Sequence, residues 1–306
     1  MDIVTIVYAA ELNLLRLQAR SFARFLAPDP ALRLRILVND PPRAAACAAF
    51  IAARVLPEYG PLAPQVRVLD GREVAPGIAA IPGYVAQQVL KLRYAARVGA
   101  ADYVTLDAKN LLAAPFDIAA GLWDEAGRPR ASFEAFAGDQ AAARDACFAF
   151  WGVPSGSARP AALPAMMTPY VLRAPLVRRM IGEAEARAGG PDLEEWLARQ
   201  HYPSEYLLYA TWLVARGIDP AALFAPGPPL NLTLWRGYAA GAAALRQALE
   251  GAGTPARPFL GLHRLRIAEM TAEERAAVQE VLAARGLAGA GEAPFWAETD
   301  PDRILA

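Results

Sequence analysis

An acid, an amine and an amide follow one another at Asp107, Lys109 and Asn110, directly behind the apolar run 103–106. An acid just past a buried strand can hold a ribose hydroxyl or a divalent cation, and a lysine beside it can meet a diphosphate as a point charge. The plain alternative is a capped strand end with an exposed lysine. Scarcity weighs against it: of 31 lysines and arginines, Lys91 and Lys109 are the two lysines. In a chain so biased towards arginine, a remaining lysine points to a place where a compact, rotatable ammonium is not replaceable by a planar fork. Gln87 and Lys91 are four residues apart, so on a helix they share a face and could project, with Gln88, towards a nucleotide or sugar. A solvated helix face is the competing reading. Asparagine is also scarce, at 13, 39, 110 and 231, which gives weight to Asn39 and Asn110 at strand ends.

These residues need elements to position them. The β-branched run 2–7 reads as a strand ending at Tyr8, and Leu12, Leu15, Ala19, Phe22 and Leu26 then recur at helical spacing. A second strand over 34–40 ends in Asn39-Asp40 before two prolines, and a third over 65–70 stops at Asp70-Gly71. A helix over 83–99, closed by Gly99, precedes the fourth strand at 102–110. Strands alternating with helices predict an α/β fold with a mainly parallel central sheet, whose ligands bind outside the carboxyl ends of the strands. Tyr8, Asn39, Asp40, Asp70, Asp107, Lys109 and Asn110 all fall at such ends.

The second part of the chain is more helical. A strand near 130–136 and a helix over 139–151 lead into a Pro/Gly/Ser-rich loop at 152–170, and helices follow over 174–190, 192–200 and 204–217. Strands are expected within 230–238 and 257–265, then a helix from Thr271, whose Glu274 completes a capping box. The stretch 291–306 reads as a loosely held tail.

Composition limits the function. The 31 basic residues are balanced by 31 acidic ones, which supplies no general attraction for a polyanion, so no nucleic-acid partner is expected. The start lacks the basic and apolar regions of a signal peptide, and no apolar stretch is long enough for a transmembrane segment. The expected location is the cytoplasm. Cys47 and Cys147 lie in apolar contexts and read as buried thiols.

Taken in order, DIVTIVY, LQARSFARFL, ILVND, GYVAQQVLKL, TLDAKN, TPYVLR and SEYLLYATWL, with the resemblance running from about Asp2 to about His263, resemble the DUF6492 family, bacterial proteins related to GT-A glycosyltransferases. The resemblance implies a GT-A-like, Rossmann-like nucleotide-sugar fold. It implies one domain over 1–290, with a nucleotide-binding half at 1–110 and an acceptor-side half at 111–290. Tyr8 would then sit beside the base, and Asn39, Asp40, Gln87, Lys91, Asp107 and Asn110 would line the donor site. Asp107 matches the first acid of the Asp-x-Asp such enzymes carry, but Lys109 stands in place of the second, and an ammonium repels the cation an acid would hold. Either Asp107, Asn110 and His263 retain Mn²⁺ or Mg²⁺ with the diphosphate, or Lys109 replaces the metal.

Glu205, in the acid position of PSEYLLY, would orient or deprotonate the acceptor hydroxyl, against the alternative of a carboxylate satisfying a helix N-terminus. Thr168, Tyr170 and Arg173 would form an acceptor-facing wall, with His201 near Glu205, and Arg264 could assist His263. The expected function is transfer of a sugar from a nucleotide-diphosphate donor, a UDP-sugar by preference, to a glycan, lipid or small-molecule hydroxyl. Lys109 would support the leaving diphosphate. A non-catalytic nucleotide-sugar or glycan-binding protein is the alternative. A sugar nucleotidyltransferase fits less well, because VYAAELN has no Gly-rich loop with a basic residue.

Overall fold

Asp2–Val7 (β1) is buried at every position, as a run of β-branched residues covered on both faces should be. The computed structural model describes residues 1–186, 193–289 and 291–306. Arg33–Val38 (β2), Val66–Asp70 (β3) and Asp102–Asp107 (β4) follow in the chain, then the short Asn110–Leu112 (β5) and Tyr170–Arg173 (β6). The main sheet has the order β3-β2-β1-β4-β6 and is mainly parallel. Its order explains its burial: the interior strands β1 and β4 are nearly all buried, whereas the edge strand β3 is half-buried or exposed at four of five positions. β6 pairs antiparallel with β4, setting Asp102 opposite Arg173 and Thr105 opposite Tyr170. The α/β class expected from the alternation is therefore observed. Between 130 and 136 there are two strands of two residues each, at Arg130–Ala131 and Phe133–Glu134.

The chain forms two compact units. One takes residues 1–4, 69–105 and 119–229. Its helices include Gly83–Arg93, Gly138–Phe150, Ala174–Glu185, Leu193–Ala198 and Glu205–Ala215. The predicted helices over 174–190 and 192–200 run into residues outside those described, as does the expected domain limit at 290. Glu205–Ala215 is buried on all sides from Glu205 to Leu213, the mark of a central helix, and the hydroxyl of Ser204 caps it by accepting from the Leu207 amide.

The other unit takes residues 5–68, 106–118 and 230–306. Here Asn231–Leu234 (β7) runs parallel to Phe259–Leu262 (β8), which pairs antiparallel with β5. Thr233 stands opposite Gly261, and a Cβ on that glycine would lie 2.5 Å from the Thr233 Oγ1, so only glycine fits there. Leu14 and Leu17 of Leu12–Phe25 (α1) join Leu111, Leu234, Leu260 and Leu262 in one core. The stretch expected to be a loose tail is packed. Trp296 is fully buried with its Nε1 donating to Gln279, and the guanidinium groups of Arg16 and Arg20 lie over the Phe295 ring, 4.3 and 4.8 Å from its centroid. An aromatic with its polar edge satisfied anchors this stretch, where proline and charge alone suggested none.

The loop after β7 is held by a buried ion pair. Arg266, in Arg264–Glu269 (α2), donates to Glu274 at 2.6 Å, and the same arginine donates to the carbonyls of Tyr238 and Ala239. Glu274 also completes the expected capping box with Thr271 at the start of Ala272–Ala284 (α3) and accepts from the Gly241 amide. Among the described residues no helix is long and apolar enough to cross a membrane.

The hydrogen bonds from Arg266, with the amides of Thr271 and Gly241, pull the Glu274 carboxyl down from 4.5 to about 2. A depressed folded-state carboxyl stabilises above its unfolded value, and that contribution is lost as pH falls from about 4.5 through about 2. Glu274→Gln should therefore cost about 3–5 kcal/mol at neutral pH, because it leaves Arg266 buried without its counter-charge. Urea unfolding of variant and wild type should also converge as pH falls through that window.

Candidate active site

The turn between β4 and β5 is built from its own side chains and one glutamine. Asn110 is fully buried, and its Oδ1 accepts from the Asp107 amide at 2.9 Å, which closes the turn over Ala108 and Lys109. Gln18, fully buried on α1, donates through Nε2 to the carbonyls of Asp107 and Asn110 at 3.0 and 2.6 Å and accepts from the Thr5 hydroxyl at 3.1 Å. One amide thus satisfies both ends of a buried turn. Asn110, expected to reach a ligand, uses its side-chain oxygen in that turn.

The turn presents Asp107 and Lys109 as an ion pair between Oδ2 and Nζ, with Asp107 buried and Lys109 half-buried. Around it stand an exposed Trp235, 5.4 Å from Lys109 Nζ to the ring centroid, and His263, whose ring lies 4.7 Å from that of Trp235. Glu11, at the entry to α1, is 7% exposed and accepts from the Tyr8 hydroxyl at 3.3 Å, while the Arg264 guanidinium lies 5.6 Å from the Tyr8 ring centroid. Burial first, and the Asp107 charge after it, push the Glu11 carboxyl up to about 7 against the pull of Lys109 and Arg264. Burial, with Lys109 and Arg264 adding to it, pushes the His263 imidazole down to about 4. Burial also raises the Tyr8 phenol. Near neutral pH the cluster holds a neutral imidazole, a neutral phenol and a carboxyl poised between its two forms.

Asp107 and His263, the expected metal ligands, do not fit a divalent cation. The Asp107 carboxylate already carries an ammonium. His263 caps α2 by accepting at Nδ1 from the Leu265 amide, so a neutral ring carries its proton on Nε2 and offers a donor there rather than a lone pair. Among the described residues no three His, Cys, Asp or Glu side chains gather as a metal site would require. The cluster suits an anion better: an ammonium, a guanidinium and an imidazole N–H.

The other expected residues lie elsewhere in the fold. Asp40 accepts from the Ala9 amide at 3.2 Å, and Asn39 is buried with its amide bonded to the Val7 carbonyl, so both brace the end of β1. In the first unit, Lys91 and Glu205 form a 2.9 Å ion pair, and each is 2% exposed. Lys91 also lies 5.1 Å from the Tyr206 ring centroid, and the Gln88 amide, turned with its NH₂ towards Glu205, donates to that carboxylate. The carboxylate expected to take an acceptor's proton is instead the counter-charge of a buried lysine, and the face of Gly83–Arg93 expected to reach a donor is core at Lys91. Gln87, on the same helix, is half-buried. Tyr170 stacks on Tyr206 with centroids 4.2 Å apart and is 3% exposed, Thr168 is buried, and Arg173 stands opposite Asp102. An acceptor wall of these three is not what their burial describes. His201 is exposed, 3.9 Å from Asp139.

A family described as "Family of unknown function (DUF6492)" matches residues 5–220, more than half of the chain. The chain belongs to the DUF6492 family. No curated protein matches it. Similar solved structures include the galactosyltransferase LgtC in complex with donor and acceptor sugar analogs, at 15% identity over 93% of this chain and 96% of that one, with a TM-score of 0.42. Mouse xyloside xylosyltransferase 1 in its apo form shares 14% identity over 85% of this chain and 97% of that one, also at 0.42. The apo form of the glycosyltransferase GlyE of Streptococcus pneumoniae shares 10% identity over 99% and 61%, again at 0.42. These relatives are glycosyltransferases; likeness at this level brings neither donor nor acceptor to this DUF6492 chain.

Sequence reasoning passed over Glu11 and Trp235. Glu11 had a signal, a single acid inside the apolar run from Ile3 to Leu15, and Trp235 follows directly on a β-strand pattern.

Three outcomes follow from this geometry. Gln18→Leu removes the donor to two buried carbonyls and should lower stability by about 2–4 kcal/mol, measured by chemical denaturation. Lys91→Met, which strands Glu205, should cost about 3–5 kcal/mol, and adding Glu205→Leu should recover most of that loss. Glu11 carries the opposite sign to Glu274: a carboxyl raised in the folded state weakens folding as pH rises from 4.5 through about 7. Glu11→Gln should therefore match wild type in melting temperature near pH 4.5 and exceed it at pH 8.

Proposed function

We propose that the chain is a glycosyltransferase that moves a sugar from a nucleotide-diphosphate donor to an acceptor hydroxyl, with the leaving diphosphate met by side chains. The observation that carries this reading is the Asp107–Lys109 pair at the carboxyl end of β4, with Arg264 and the Nε2–H of His263 in the same cluster. A diphosphate can exchange with Asp107 as the partner of Lys109. Asp107 is then released to a ribose hydroxyl. Tyr8 and Glu11 lie on the β1 side, where the base belongs in this reading, and UDP is its expected carrier.

The chemistry is one bond exchanged for another. The bond from the anomeric carbon to the diphosphate oxygen breaks, its electron pair leaves on the diphosphate, and an acceptor oxygen bonds to the carbon and gives up its proton to the departing diphosphate or to water. Donors fixed where negative charge grows lower that barrier most, and here they are positioned before the substrate arrives. The acceptor is a glycan, lipid or small-molecule hydroxyl, and the protein acts in the cytoplasm. One observation favours a second reading: Glu205, the carboxylate assigned to the acceptor's proton, is held in a buried ion pair. A protein that binds a nucleotide sugar without turning it over also accounts for that.

A melting-temperature screen with UDP-, GDP-, CMP- and TDP-sugars tests binding, since a ligand at a hundred times its Kd stabilises by about 2.7 kcal/mol. Lys109→Ala should lower turnover of the sugar nucleotide about a hundredfold or more; because it also strands the buried Asp107 carboxylate, at a cost of about 3–5 kcal/mol, turnover is compared at a temperature where circular dichroism shows both proteins folded. Full turnover in that variant would sink the leaving-group role. A wild type that binds a sugar nucleotide but never hydrolyses or transfers it would support the binding-protein reading.

A further inference from the structure

We propose that Trp235 is a stacking platform for a pyranose ring, the donor's or the acceptor's, beside Lys109; the assignment rests on the glycosyl-transfer reading above. Strand register puts the platform there. β7 and β8 are parallel with Leu234 opposite Leu262, so Trp235 and His263 are the next residues at the ends of neighbouring strands. The His263 amide donates to the Leu234 carbonyl at 3.3 Å, and the Leu262 amide donates to the Lys109 carbonyl at 3.0 Å. Backbone hydrogen bonds therefore fix the tryptophan, the imidazole and the lysine relative to one another.

Trp235 meets the Lys109 ammonium and the His263 ring, yet half of its surface stays open. Trp151, Trp212 and Trp296 are at most 3% exposed, whereas Trp235 is 52% exposed. Five large hydrophobic residues are exposed among those described, and Trp235, Tyr238 and Leu265 are three of them. Tyr238 shares the Trp235 loop, its amide donating to the Trp235 carbonyl at 3.0 Å, and Leu265 follows His263 by two residues. An exposed indole on a mobile loop would lose its rotational freedom on binding. This loop is fastened beforehand by the buried Arg266, whose Nε and Nη2 donate to the carbonyls of Tyr238 and Ala239 at 3.1 and 3.2 Å.

Distance selects the ligand's chemistry. The Lys109 ammonium lies 5.4 Å from the Trp235 centroid. With Lys109 on the sugar-bearing phosphate, the group next to that phosphate is the sugar, while the base is a ribose and a second phosphate away. A ring that reaches the indole from that phosphate is therefore a pyranose. Its axial C–H groups carry slight positive charge towards the negative face of the indole, and its hydroxyls stay free for the His263 N–H and solvent. An acceptor pyranose meets the same platform, because its hydroxyl must approach the anomeric carbon.

The test titrates wild type, Trp235→Ala and Trp235→Phe by calorimetry with UDP, UDP-glucose and UDP-galactose, and by saturation-transfer NMR with free lactose and maltose. Trp235 is half exposed, and circular dichroism checks that the alanine variant keeps its fold. The expected result is a loss of about tenfold or more in UDP-sugar affinity in Trp235→Ala, unchanged UDP affinity, and partial retention in Trp235→Phe. A saturation-transfer signal from the free disaccharides that disappears in Trp235→Ala assigns the platform to the acceptor. Equal losses for UDP and UDP-sugar would overturn the proposal, since the stacked ring is then the base. Sugar affinities unchanged in Trp235→Ala would overturn it while leaving the glycosyl-transfer reading intact. If wild type binds no nucleotide, that reading fails by itself, and the disaccharide arm decides the platform: signal lost in the alanine variant supports it, and signal retained or absent overturns it.

Discussion

The amide of Gln18 is the contact on which the site depends. Asp107, Ala108 and Asn110 are buried where the chain reverses from β4 into β5, and a buried turn leaves carbonyls with no strand partner. Gln18 answers two of them, and its oxygen is in turn occupied by Thr5. Ser21, one turn further along α1, donates to the Gln18 carbonyl at 2.7 Å and accepts from the Leu112 amide at 3.0 Å. The helix thus reads the whole of 107–112 through two polar side chains set among leucines. Because β5 also pairs with β8, whatever fixes the turn fixes the register that carries Trp235 and His263.

The scarcity of lysine has the same explanation at both of its positions. Lys91 and Lys109 each face one carboxylate within a confined space, Glu205 in one case and Asp107 in the other. A guanidinium is wider and spreads five donors in a plane, whereas an ammonium meets a carboxylate as a compact charge. Elsewhere the chain uses arginine where several acceptors converge, as for Arg20 between Glu58 and Glu292, or Arg266 between Glu274 and two carbonyls. The two lysine pairs differ in what they can do. Lys91 and Glu205 are sealed in the core, so their pair sets structure, whereas Lys109 keeps part of its surface and can change partner.

Much of the fold could be read from local patterns. Continuous β-branched runs gave β1 and β4, and the Thr271–Glu274 spacing gave a cap that forms as expected. Asp107 and Lys109 were visible because a polar pair behind an apolar strand is conspicuous. The role of Glu205 was not, because its position at a helix start says nothing about a lysine more than a hundred residues earlier in the chain. Trp296 and Trp235 show the same limit from opposite directions. Neither sequence context tells which tryptophan is core, yet tertiary packing buries one and leaves the other exposed.

The charge state of the cluster follows from these placements. Burial holds His263 neutral above about pH 4, so Asp107, Lys109, Arg264 and Glu11 set the local charge. With Glu11 protonated, two cations stand against one anion; with Glu11 ionised, they stand against two. The cluster therefore loses positive charge as Glu11 ionises around pH 7. A carboxyl with this titration is costly to bury. It accepts from the Tyr8 hydroxyl, and its ionisation is sensitive to Lys109 and Asp107. Gln18 fixes where the charges stand, and Glu11 fixes how many there are.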